Sequence, residues 1–439
     1  MRFFDRDQEI EKLRDICKQS RLAAQFTVVT GRRRIGKTSL LLNAYRDEVM
    51  LYFFISRKVE SDLCSDFATE VETKLGLSLL GRPTKFADLF EYLMKLSTQR
   101  HFTLVIDEFQ EFFRVNKAVF SEMQRIWDLH KASARINLLV CGSVNSLMNK
   151  IFRDKKEPLY NRHTHRISVN PFAPSVLKRI LYEYAPNHNN EDLLALYMYT
   201  GGVAKYIELL IDGGHFSSKA MLDTVIAQDS PFIDEGRSML IEEFGRDYAV
   251  YFSILSLIAQ GHNTRGEMED MLKREISGYL TRLEDDYGLI HKTQPLFENS
   301  PRKNVHYEIH DNFLRFWFRF VFKYNYMLEI GAFAKLREII TRDYETYSGL
   351  VLESYFKHQL MESQRYTRIG DWHDRKGENQ IDIIAADELA NTVEFIEVKR
   401  QRRNLDLAIL RAKADVFLKT TKKFSGYSIT YRGLTLDDI

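Results

Sequence analysis

The sequence predicts an α/β protein built on a parallel sheet and extended by a helical lid, a winged helix-turn-helix and a second, smaller α/β domain. Three observations carry that expectation. Short apolar runs at 26–30, 102–106 and 136–141 alternate with stretches of helical periodicity, the pattern of βα units in one parallel sheet. Three short amphipathic patterns at 247–260, 263–273 and 277–287 precede two strand-like stretches around His291 and His306, which is the order of three helices and a hairpin. Further on, a helical pattern at 349–361 is followed by strands at 380–385 and 392–398 and a helix at 405–417, an arrangement that marks a separate α/β domain.

The chain has 439 residues, and at about 150 residues per domain it divides into several units. The expected boundaries are 1–172 for the first α/β core, 173–235 for a helical lid, 236–325 for the winged helix and 326–439 for the last domain. Hydrophobic residues make up 44% and charged residues 28%, with only 8 prolines and no low-complexity tract, so the whole chain is expected to fold. The formal charge of +2 says nothing for or against nucleic acid, so any such signal must come from local patches. Cys17, Cys64 and Cys141 are too few and too scattered for a disulfide framework or a zinc site, and read as reduced thiols. Residues 1–13 lack an apolar stretch followed by a cleavage site, and no apolar run approaches the ~20 residues that span a bilayer. A cytoplasmic protein with no membrane partner is expected.

In chain order, Ile10, Leu13 and Ile16 give residues 5–20 helical spacing, and the strand at 26–30 leads into Gly31, Arg32, Arg33, Arg34, Ile35, Gly36, Lys37, Thr38 and Ser39. That run matches GxxxxGK[ST] and lies between a strand and a helix, where a phosphate-binding loop has to lie. The glycines allow a tight loop whose N–H groups turn inward, the helix N-terminus adds positive potential, Lys37 reaches the outer phosphates, and the Thr38 hydroxyl can ligate magnesium. ATP and magnesium are the expected cofactors. Arg32, Arg33 and Arg34 read either as solvated loop residues near phosphate or as nucleic-acid contacts. The strand ending in Asp107 and Glu108 supplies the other half of the site. Asp107 is expected to hold magnesium through water, and Glu108 to orient or deprotonate the attacking water.

From 173 to about 233 the pattern is helical, interrupted by Gly201, Gly202, Gly213 and Gly214. In the three-helix segment, Ser277, Tyr279, Arg282 and Lys292 are candidate DNA contacts, with Arg302 and Lys303 on the wing. Asp270, Glu284, Asp285 and Asp286 lie on the same elements and oppose phosphate binding, so a protein-packing role stands beside the DNA-binding one. The aromatic run containing Phe313, Phe316, Trp317, Phe318, Phe320, Phe322 and Tyr324 reads as a buried packing helix rather than a platform for stacking bases. On the last strands, period-two spacing puts Glu397 and Lys399 on one face, with Asp382 on the neighbouring strand. Two carboxylates and an ammonium could converge there and hold a second divalent cation suited to phosphodiester cleavage.

Several motifs together resemble a known family: Phe4-x-Arg6-x-x-Glu9, the loop 31–39, the run from Ile106 to Gln110, Cys141-Gly142-Ser143 and Pro158 through Arg162. They look like the archaeal-type ATPases, a branch of the AAA+ and STAND-related P-loop NTPases of the ASCE division. The resemblance implies that Ser143 is a sensor of the γ-phosphate and that Arg162 is an arginine finger or sensor, which in trans would require a homo-oligomer. The family's lid carries Gly-Gly-x-Pro where this chain has Gly201, Gly202, Val203 and Ala204, so nucleotide-coupled lid motion is not carried over. Asp382, Glu397 and Lys399, with Glu353 on the preceding helix, resemble the PD-(D/E)xK nuclease, or restriction-endonuclease-like, fold. The stretch from Gly370 to Gly377 and the aromatic run resemble the DUF234 tails joined to archaeal-type ATPases.

The function these readings imply is an ATPase controlling a DNA-directed winged helix and a metal-dependent nuclease. The alternative is an ATP-dependent switch or scaffold whose last domain binds DNA or protein without cutting. Arg400, Arg402 and Arg403 suit either, since both approach phosphates.

Overall fold

The computed structural model describes residues 1–79, 81–244, 248–297, 305–374 and 378–439. Arg302 and Lys303 of the expected wing, and Arg375, Lys376 and Gly377, lie outside the described residues. The chain divides into two compact units, residues 2–170 and residues 171–439 with Met1.

In the first unit the strands β1 (Gln25–Thr30), β2 (Met50–Phe54), β3 (Phe102–Asp107), β4 (Ile136–Gly142) and β5 (His165–Ser168) form one sheet in the order β2-β3-β4-β1-β5. Every pairing is parallel. Parallel sheets need both faces covered, and β3 and β4 are buried at every position. A stacked Phe53–Phe67 pair and a Phe109, Phe112, Phe120 cluster fill part of that core. Because all strands run one way, their carboxyl ends share one edge, where Gly31, Glu108 and Ser143 emerge.

In the second unit, residues 174–225 form helices with Gly201 (φ 56°) and Gly202 (φ 77°) as a left-handed turn between Asn190–Thr200 and Ala204–Asp212. Helices Tyr248–Ala259, Arg265–Leu272 and Ser277–Thr281 precede β6 (Ile290–Thr293) and β7 (His306–Ile309), which pair antiparallel. The aromatic run forms helix Asn312–Phe316 and a more widely wound turn, Trp317–Phe322. Phe313, Phe316, Trp317, Phe318 and Phe320 are all buried, so the rings are packing groups. Trp317 lies flat on Gly236, where an added Cβ would come within 2.4 Å of the indole, and its Nε1 donates to the Ile233 carbonyl at 2.7 Å.

Helix Phe333–Glu362 runs unbroken and begins well before the helical pattern expected at 349–361. The last sheet has the order β11-β10-β9-β8, from β8 (Arg368–His373), β9 (Gln380–Asp387), β10 (Thr392–Val398) and β11 (Ser428–Leu434). β8 and β10 flank β9 antiparallel, and β11 joins β10 in parallel after a crossover through helix Leu407–Thr421. That helix buries Leu410, Ala414 and Phe417, an i, i+4, i+7 stripe.

His358, on the long helix, meets the hydroxyl of Tyr197 from helix Asn190–Thr200. Burial pushes its pKa down to about 4 from the ordinary 6.5. The unfolded chain therefore binds a proton here at a higher pH than the folded one. Stability from this residue is complete above pH ~6.5 and is lost as pH falls toward ~4. Urea titrations of the wild type and His358→Gln between pH 4 and 7 should show a shallower acid slope in the variant.

Candidate functional site

The phosphate-loop geometry starts from the turn that leaves β1. Gly36 has φ 95°, a conformation L side chains rarely adopt, and it caps helix Lys37–Ala44. Gly31 runs so close to β5's end that a Cβ would meet the Val169 carbonyl oxygen at 2.6 Å. Ile35 is the loop's buried anchor, and Arg34 takes φ 64°. Lys37, 7% exposed, donates from Nζ to the carbonyls of Gly31 (2.8 Å) and Arg32 (3.0 Å). Burial pushes its ammonium below the usual lysine range, with Glu108, Cys141 and Asp107 pulling the other way. A desolvated cation at a helix N-terminus favours a triphosphate strongly.

Asp107 ends β3 with its carboxylate buried. Its Oδ2 accepts from Thr38 Oγ1 at 3.0 Å and from the Tyr52 hydroxyl, and its Oδ1 accepts from the Glu108 N–H at 2.9 Å. Burial, then the hydrogen bond to Asp107, pushes the Tyr52 phenol up, so it stays a donor. Glu108 follows in the left-handed region (φ 53°), which turns its side chain out of the strand. Its Oε2 accepts from Ser143 Oγ at 2.8 Å and from Gln110 Nε2. Lys37, Thr38, Asp107, Glu108 and Ser143 thus gather at the carboxyl ends of three adjacent strands, β3, β4 and β1. Sequence reasoning missed the supporting roles of Tyr52 and Gln110.

Arg162 is not brought to this site. It precedes β5, and the next residues pair with the start of β1, where the Thr164 N–H donates to the Phe26 carbonyl at 2.8 Å. The run from Phe26 to Gly31 is about 17 Å at ~3.3 Å per residue. Arg162 therefore sits at the opposite end of the strands from its own phosphate loop, with Nε on Asp128 at 2.9 Å.

In the second unit Asp382, Glu397 and Lys399 do converge. Lys399 Nζ lies 2.9 Å from Glu397 Oε1 and 3.4 Å from Asp382 Oδ2, which also accepts the Val398 N–H at 2.9 Å. Burial, then the Asp382 charge, pushes the Glu353 carboxyl above the usual carboxylate range. Lys413, which the sequence did not single out, holds both oxygens of Glu397 at 3.1 and 3.2 Å. Among the described residues no three His, Cys, Asp or Glu side chains are arranged to hold a metal ion. At these acids, where a second divalent cation was expected, ammonium groups lie against Glu397.

Arg400, expected near phosphates, instead grips Glu191 (2.6 Å) and Ser348 Oγ (2.6 Å), and Arg402 pairs with Asp438 at 3.1 Å. Lys292 is tied to Glu284. Cys17, Cys64 and Cys141 are free and buried. No helix among the described residues is long and apolar enough to cross a membrane.

A parallel sheet with a glycine loop, a buried lysine and an Asp-Glu pair at its carboxyl edge defines a P-loop ATPase. Residues 3–210 match the family described as an ATPase domain predominantly from Archaea, and residues 317–410 match DUF234, archaeal and bacterial proteins of unknown function; the chain joins an archaeal-type ATPase domain to a DUF234 tail. An uncharacterized protein of Methanocaldococcus jannaschii is 29% identical over 410 residues, covering 90% of this chain and 87% of the relative. A second protein of that organism is 36% identical over 67 residues, 15% of this chain and 65% of its own length. Among solved structures, a Walker-type ATPase of Pyrococcus abyssi shares the fold at TM-score 0.54 and 20% identity, over 72% of this chain and 96% of that one.

Proposed function

We propose that this chain hydrolyses ATP as an AAA+ and STAND-related ATPase, and that its nucleotide state governs a DNA-directed winged helix and a nuclease-like C-terminal domain. The reading divides residues 171–439 into a lid (173–235), the winged helix (236–325) and the DUF234 domain (326–439), in a cytoplasmic protein. The carrying observation is the meeting of Lys37, Thr38, Asp107, Glu108 and Ser143 at one sheet edge. The Thr38 hydroxyl and Asp107 carboxylate, 3.0 Å apart, fit magnesium held directly by the first and through water by the second. Magnesium bound there would neutralise charge on the outer phosphates. Lys37 and the inward N–H groups hold those phosphates, Glu108 accepts the proton of the attacking water, and Ser143, hydrogen-bonded to Glu108, links that carboxylate to the γ-phosphate.

Glu108→Gln should leave ATP binding intact and cut steady-state turnover by about 100-fold or more, measured as phosphate release over many cycles. A wild type that binds ATP without sustained release would leave only a nucleotide-held switch. Arg162, far from its own loop, suits an arginine finger offered to a second copy, which is why a homo-oligomer belongs to the reading. Support for DNA contact comes from three helices followed by an antiparallel hairpin, with Arg282 exposed beside Ser277 and Tyr279.

A second reading, in which the C-terminal domain binds DNA or protein without cutting, is favoured by one observation. Glu397 is saturated by Lys399 and Lys413, which leaves its carboxylate poorly placed to hold a metal ion for phosphodiester cleavage.

A further inference from the structure

The C-terminal charge cluster has a member outside the pattern that first suggested it. Lys413 lies on helix Leu407–Thr421, three residues after Leu410 and one before Ala414, both buried against the sheet. That register brings its ammonium to the strand face that carries Glu397. Both carboxylate oxygens receive it, at 3.1 and 3.2 Å, while Lys399 approaches Oε1 from the strand at 2.9 Å. The Lys413 side chain is 19% exposed and that of Glu397 8%, so the contact is shielded from solvent. Two ammoniums thus face the two carboxylates of Asp382 and Glu397, and the charges cancel. A bidentate approach to a carboxylate is also how a divalent cation binds one.

We propose that Lys413 stands in for a metal ion: the cluster is a closed ion-pair group that binds no divalent cation while Lys413 holds Glu397. Lys399 serves both acids, but Lys413 serves Glu397 alone, so its removal uncovers that carboxylate and leaves the rest of the group in place. The proposal deepens the non-cleaving reading of this domain and rests on it.

The test is a manganese titration of the full chain, without nucleotide, followed by electron paramagnetic resonance. The wild type should show no binding that Asp382→Asn abolishes. Lys413→Met should create a site at least about tenfold tighter than anything in the wild type, since it removes a unit positive charge about 3 Å from the ligand oxygens. The gain should vanish in Lys413→Met with Asp382→Asn, and Lys413→Arg should behave as the wild type. Lys413→Gln serves if the methionine variant does not fold, with circular dichroism as the check. Wild-type manganese binding lost in Asp382→Asn, or variants binding no tighter than the wild type, would overturn the proposal. Magnesium- or manganese-dependent DNA cutting by the wild type, abolished in Lys399→Ala, would remove the non-cleaving reading. Unchanged manganese binding without any cutting would remove the stand-in role alone.

Discussion

Lys37→Ala should lower ATP turnover by about 100-fold or more and weaken nucleotide binding to a similar degree. The side chain is buried at a helix N-terminus, and its ammonium is the nearest charged group to the loop carbonyls of Gly31 and Arg32. Removing it deletes a desolvated cation at the start of the helix that follows the loop. Calorimetry with ATP and magnesium measures the binding loss, and phosphate release measures turnover. The thermal midpoint is the control, since Lys37 also cross-braces the loop. Binding that survives in the alanine variant would mean that the phosphates are held elsewhere.

Trp317→Ala should destabilise the second unit by about 3–5 kcal/mol, the range for emptying a large aromatic site. The indole is 3% exposed, lies against Gly236, and meets Phe318 and Phe322 at centroid distances of 5.0 and 5.7 Å. Its loss also removes the indole's hydrogen bond to the Ile233 carbonyl, at a cost of about 1 kcal/mol more. Trp317→Phe should retain much of the packing and lose the hydrogen bond. Urea unfolding checks both. ATP affinity should hold in either variant, because the phosphate loop belongs to the other unit, and a matching loss of affinity would refute that independence.

In the two larger sheets the sequence was readable where strands are central and unreadable where they are edges. β1, β3, β4, β9 and β10 have neighbours on both sides, and their buried runs stand out as apolar stretches. The four strands that went unnoticed, β2, β5, β8 and β11, are the edges of their sheets. An edge strand pairs on one side only, and β11 accordingly alternates exposed and part-buried residues along most of its length. Missing β5 had a direct cost at the site. Without that strand nothing says whether Arg162 precedes or follows a sheet element, and that choice alone decides which edge it occupies. The phosphate loop escaped this difficulty because its chemistry is local in sequence. Tyr52 and Lys413 did not: one comes from an edge strand, the other from a helix whose rotation only packing fixes.

The grip of Arg400 on Glu191 and Ser348 bears on how this molecule can be taken apart. A fragment beginning at residue 326 would keep Arg400 and Ser348 but lose Glu191, and with it Tyr197 and the ring contact to Tyr355. Such a piece would leave the guanidinium without its carboxylate beside a naked aromatic surface, conditions that favour inclusion bodies over a soluble tail. Cutting after Asn170 severs no such pairing within residues 171–439, so a fragment that starts there retains the partners its last domain depends on.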